Sequence, residues 1–220
     1  MEPVRGEPGG AEARWPMAGA ILSAMLLTVL LPDDVRLGPA WALPLIEGVL
    51  LVAVIAADPG SITRRSRELR ALSIALVSVL VLGALWSTVL LIDGLVHGSL
   101  QTNSASDLLE AGSIVWLSNT IAFALLYWEL DGGGAAARAH EVPRHPDLAF
   151  PQHLNPKIGP PGWRPRFVDY VYLSFTNSMA FSPTDVMPLV PWAKLAMAVQ
   201  AVISLGILGL VIARAVNVFN

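Results

Sequence analysis

The chain has 220 residues, 54% of them hydrophobic and only 14% charged, with a mean hydropathy of +0.59. A soluble domain carries roughly 25% charge, so this composition leaves room for one membrane domain and little else. The net charge of −3 excludes a general basic surface for nucleic acid, and the absence of cysteine excludes disulfides, thiolate nucleophiles and cysteine metal sites.

Residues 1–15 hold Pro3, Pro8, Gly6, Gly9 and Gly10 among mixed charges and read as a disordered tail. They lack the basic region and small-residue cleavage site of a signal peptide. Residues 16–31 form the first apolar run, about 24 Å long as a helix, stopped by Pro32-Asp33-Asp34. Residues 40–57 form the second run, and the pair reads as a helical hairpin. Residues 71–92 are the clearest span, with no charge. Residues 111–130 are the fourth, ending in Tyr127 and Trp128, whose rings favour the headgroup layer.

Residues 131–166 open with three glycines and contain seven prolines. That density argues against a regular helix or a central strand. Residues 167–181 then read as a short, hydroxyl-rich helix of about 22 Å, too short for a bilayer core of about 30 Å. Residues 193–213 are the fifth span. The expected fold is therefore an all-α polytopic membrane protein with five transmembrane helices and one short re-entrant helix before the last span. Its parts are the tail (1–15), a four-helix scaffold (16–130), the Pro/Gly-rich loop (131–166) and a terminal helix pair (167–220).

Placing the N-terminus inside puts eleven basic residues on the inner side: Arg5, Arg14, Arg64, Arg65, Arg67, Arg70, Arg138, Arg144, Lys157, Arg164 and Arg166. Arg36 alone falls outside. This bias favours the N-terminus inside, the Pro-rich loop inside and the short helix dipping in from the inner face. Two lysines against twelve arginines suggest a high-GC bacterial genome, and hence a bacterial inner membrane.

The stretch F-V-D-Y-V-Y-L-S-F-T-N-S-M-A-F-S-P-T-D-V-M-P, followed by the apolar run to Asn220, resembles a family of uncharacterised bacterial multi-pass membrane proteins carrying a domain of unknown function. Agreement is best at Asp169, Tyr172, Ser174, Phe175, Thr176, Asp185 and Asn217, and the resemblance implies no activity. The same stretch is distantly similar to the pore module of potassium channels, in which an outer helix, a pore helix, a filter and an inner helix follow in order. Tyr170 to Ser178 would be the pore helix and Met179 to Asp185 the filter position. A potassium filter is built from backbone carbonyls of T-V-G-Y-G. This chain has M-A-F-S-P-T-D there, without glycine and with Pro183 fixing φ, so potassium selectivity of that type is not expected. Channel pore loops of this class also enter from outside, whereas this one would enter from inside.

The candidate ion-path residues are Tyr172, Ser174, Thr176, Asn177, Ser178, Thr184 and Asp185. Ser174, Thr176, Asn177 and Ser178 either line a vestibule or serve helix packing. Asp185 either caps the last helix or forms a carboxylate ring in an oligomer. Glu47, Asn119, Gln200 and Arg214 are polar groups inside spans. Glu47 is either functional or snorkels to the interface, and Asn119 is expected to bond between helices. Arg214 has Asp93 and Asp107 as its better partners. His140, Glu141, His145, Asp147 and His153 match no metal-ligand spacing, and no catalytic motif is present, so an enzyme, a metal site and a cofactor are not expected. The leading expectation is a channel-like homo-oligomer in membrane lipid, passing a monovalent or divalent cation. The alternative is a non-conducting scaffold or small-solute carrier. The arginine count predicts that a topology reporter fused after Asn220 is active only outside; activity inside would mean that residues 167–181 cross the bilayer.

Overall fold

A computed structural model describes residues 12–60, 62, 66–97, 105–140, 146–179 and 185–219, with no side-chain description for 105 and 214–219. Its helices are α1 (Trp15–Leu30), α2 (Ala42–Ala57), α3 (Arg67–His97), α4 (Ala105–Leu130), α5 (Ala135–His140), α6 (Pro151–Leu154), α7 (Phe167–Ser178) and α8 (Pro191–Phe219). One two-residue antiparallel ladder joins β1 (Leu148–Ala149) to β2 (Met187–Pro188). The chain is all-α, as its composition leads one to expect.

Among the described residues three helices, not five, are long and apolar enough to cross a membrane: α3, α4 and α8. The first two apolar runs fold into α1 and α2, each of 16 residues. At 1.5 Å per residue that is about 24 Å, short of a bilayer core of about 30 Å. Pro32 and Asp58 bound them where the sequence turns polar. The rest of the hairpin reading matches, since α2 packs against both α1 and α3.

Helix α4 is the centre of the bundle, packed against α1, α3, α7 and α8. Its buried side chains include Val115, Asn119, Ala124, Leu125 and Tyr127. Gly112 lets α8 come close, because a Cβ there would sit 2.6 Å from Cγ2 of Val211. The outward faces are apolar instead of polar. Leu82, Trp86 and Val89 on α3 and Leu195, Val199, Val202 and Leu205 on α8 are exposed. Such a belt is stable against lipid and costly against water, which is the signature of a membrane protein.

Two boundaries differ from expectation. Glu12 and Arg14, inside the expected tail, are held in backbone bonds, the Ile62 N–H donating to the Glu12 carbonyl and the Arg14 N–H to the Gly60 carbonyl. The Pro-rich loop also carries short helices. Residues 135–140 contain no proline and form α5, and Pro151 stands at the first turn of α6, where its missing N–H costs nothing. Gly132, Gly133 and Gly134 all have positive φ, the left-handed conformation that turns the chain back at the end of α4.

Arg14 and Asp58 form a buried ion pair at 2.7 Å, tying the start of α1 to the end of α2. Removing one partner leaves an unpaired buried charge. Asp58→Ala is therefore expected to lower unfolding stability in detergent by about 3 kcal/mol, with the double variant Arg14→Leu/Asp58→Ala recovering most of that loss.

Candidate functional site: the α4–α7–α8 polar web

The capping and depth of α7 follow from a few bonds. The Asp169 carboxylate accepts the backbone N–H of Arg166 at 2.7 Å, which starts the helix. The N–H of Phe167 donates to the Glu12 carboxylate, and the hydroxyl of Tyr170 donates to Oδ2 of Asp131 at 2.5 Å. The start of α7 thus lies level with the C-terminal end of α4. Further along, Ser174 Oγ donates to the carbonyl of Thr120 at 2.7 Å. Thr120 Oγ1 donates to Ser178 Oγ at 3.2 Å, and Trp116 Nε1 to the carbonyl of Ser178 at 3.4 Å. Helix α7 therefore runs antiparallel to α4 from Asp131 down to Trp116. With 12 residues it reaches about 18 Å, roughly half a bilayer.

The chain then returns to the side it left. Beyond α7, β2 pairs with β1, and Leu189 N–H donates to the carbonyl of Asp147 at 2.9 Å. Leu148, in β1, donates its N–H to Oδ1 of Asp131 at 3.1 Å. Both ends of the α7 excursion therefore lie at the Asp131 end of the bundle, and α8 starts there.

Gln200 on α8 joins the three helices. Its Nε2 donates to Ser174 Oγ at 2.7 Å and to the Ser174 carbonyl at 3.0 Å. Its Oε1 accepts from Tyr127 OH at 2.7 Å and from Asn177 Nδ2 at 2.8 Å. Asn177 also donates to the carbonyl of Met197 at 3.0 Å. Gln200, Ser174, Ser178 and Tyr127 are all buried. Four of the expected polar residues, Ser174, Asn177, Ser178 and Gln200, thus come together with their bonding capacity used on one another and on helix carbonyls.

The other expected residues stand apart. Tyr172 is exposed, on the outer face of α7 with Val168 and Phe175. Thr176 bonds back to the carbonyls of Tyr172 and Leu173. Asp185 is exposed and is not at the N-cap of the last helix, because α8 begins only at Pro191; the capping expectation fails because the turn lies closer to Pro191. Thr184 and the side chain of Arg214 lie outside the described residues. Asn119, on α4, donates to Thr88 Oγ1 on α3 at 2.7 Å, an interhelical bond. Glu47 is 1% exposed and does not snorkel to the surface.

Another polar assembly has Asp131 at its centre. Asp131 is 1% exposed. Besides Tyr170 and Leu148 it accepts from the N–H of Asp147 at 3.2 Å, and its backbone carbonyl accepts from Arg138. Arg138 lies 5.0 Å from the Tyr170 ring centroid. Trp128 Nε1 donates to Glu12 at 3.0 Å. The available sequence signal was Asp131 at the exact point where an apolar span meets a Gly-Gly-Gly turn, in front of a proline-rich loop that must be anchored somewhere. In that loop, the His153 ring packs edge-on against Phe150 and Trp163. Burial holds its pKa below the ordinary histidine value, partly opposed by the Asp131 charge. Among the described residues no group of three or more His, Asp or Glu is placed to hold a metal; Glu141 and His145 lie outside them.

No protein-family model, no curated protein and no solved structure matches the chain.

Gln200→Leu removes partners from Ser174, Tyr127 and Asn177 at once, so it is expected to cost about 2 kcal/mol of stability in detergent. Thr176→Val, on a side chain bonded only to its own helix, should stay within about 0.5 kcal/mol of the parent. Equal effects of the two would contradict the web.

Proposed function

We propose that the chain is a channel-like bacterial inner-membrane protein in which α4, α7 and α8 act as outer helix, re-entrant helix and inner helix. The observation that carries this reading is the path of α7, which leaves the Asp131 end, reaches about half a bilayer in depth and leads back to the same end. A helix that stops at half depth is used where its end meets a water-filled space or other protein. The resemblance to an uncharacterised membrane family and to the order of a pore module adds to it. On this reading α1 and α2 complete a five-helix bundle around the module, with α7 entering from the inner face.

In this arrangement Ser174, Asn177, Ser178 and Gln200 position α7 and do not touch an ion. A path would run between copies, along the exposed Tyr172 and Asp185 and the half-buried Thr176. The exposed apolar sides of α7 and α8 are the surfaces that other copies would cover. The permeant class is a cation, by the exposed carboxylate of Asp185.

A second reading, a non-conducting scaffold or carrier, draws on the same web, because every polar side chain that binds α7 to its neighbours is already satisfied. Flux separates the two. Purified protein in liposomes should pass monovalent or divalent cations, and Asp185→Ala should lower the flux or change its selectivity. A bilayer that stays sealed to every cation tested overturns the channel reading and favours the scaffold; saturable solute uptake without channel steps favours the carrier.

A further inference from the structure

A second polar site lies away from α7, between α1, α2, α3 and α4. A partly open cavity of about 20 Å³ lies there, with Glu47 from α2, Ser118 from α4, Ser87 from α3 and Thr28 from α1 in its lining. Oε2 of Glu47 and Oγ of Ser118 are buried and have no hydrogen-bond partner among the described residues. Glu47 and Ser118 are 1% and 8% exposed. The remaining lining is apolar and includes Leu31, Leu43 and Leu80.

We propose that Glu47 is a proton-binding carboxyl whose cavity holds one water molecule that bridges it to Ser118. The cavity volume matches a single water, which requires about 10–15 Å³ and two or more polar partners. Glu47 is the only charged or titratable side chain in the lining, so α1, α3 and α4 bring no cation to balance a carboxylate. A buried carboxylate without a counterion is strongly disfavoured, and a proton is the smallest way to neutralise it. A hard metal cation fits less well. The lining offers one carboxylate and three hydroxyls, whereas such cations take roughly six oxygens. Thr28 already donates its hydroxyl proton to the carbonyl of Ala24 at 3.0 Å, so it faces the cavity as an acceptor.

The position of the site suits exchange with one side of the bundle. Glu47 lies five residues into α2, about 8 Å along the helix from its start. That start is at the end opposite Asp131, since α1 begins beside Glu12 and Trp128 and runs away from them. The site is separate from the α7 module and does not depend on conduction.

Infrared difference spectroscopy of the protein in lipid nanodiscs tests the proposal. At neutral pH the parent should show a protonated-carboxyl C=O band that Glu47→Gln abolishes, while Ser118→Ala shifts that band by removing its hydrogen-bonded network. Glu47→Gln should leave Tm unchanged, because the amide copies the shape of a neutral carboxyl. If Glu47→Gln removes no such band, Glu47 is ionised and the proposal fails. If Glu47→Gln does not fold, the proposal also fails, because a neutral isostere must be tolerated there; an unshifted band in Ser118→Ala overturns the bridging water alone.

Discussion

A single buried amide holds the terminal half of the molecule together. Helix α7 is too short to cross a bilayer and too polar to lie free in one, so its depth has to be set by bonds to its neighbours. Gln200 supplies them. Its two donors and its acceptor oxygen reach Ser174, Tyr127 and Asn177, linking α8, α7 and α4 at one level. Between lipid-facing helices apolar burial contributes little to association, and interhelical hydrogen bonds and close packing carry more of the load. The same bonds engage the hydroxyls of Ser174 and Tyr127 between helices. That separates the buried residues that position α7 from the exposed Tyr172 on its outer face.

Above this web, Asp131 closes the end of the bundle. Its buried carboxylate accepts from the Tyr170 hydroxyl and the backbone N–H groups of Asp147 and Leu148, while Arg138 donates to its backbone carbonyl. The described part of the proline-rich segment is thereby tied to the end of the bundle. It supplies the strand that β2 pairs with, and so sets where the chain emerges after α7.

How much of this was legible follows from the range of each interaction. The long helices and the hairpin are local features, visible as apolar windows bounded by Pro32, Asp58 and the glycines after Leu130. The short α7 was visible for the same reason, being bounded by Arg166 and a Pro/Asp turn. What composition cannot give is which apolar run reaches full span, since α1 and α2 end one or two turns early at those same polar stops. The partners of Ser174, Gln200 and Asp131 lie far apart in sequence, so residue types suggested polar function and left the choice between packing and conduction open. Asp131 was hidden because a carboxylate at a helix end usually faces water. Glu47 drew notice as a charge in an apolar run, but its cavity is formed by four helices and no local pattern encodes it.

The central claim is that the chain enters beside Asp131 and returns to the same face after α7. Because the protein has no native cysteine, single substitutions Lys157→Cys and Asp185→Cys give clean probes on either side of α7. In sealed, oriented vesicles, a membrane-impermeant maleimide should label both positions from the same side. Labelling of Asp185→Cys only from the side opposite Lys157→Cys would mean that α7 crosses, and would contradict the account.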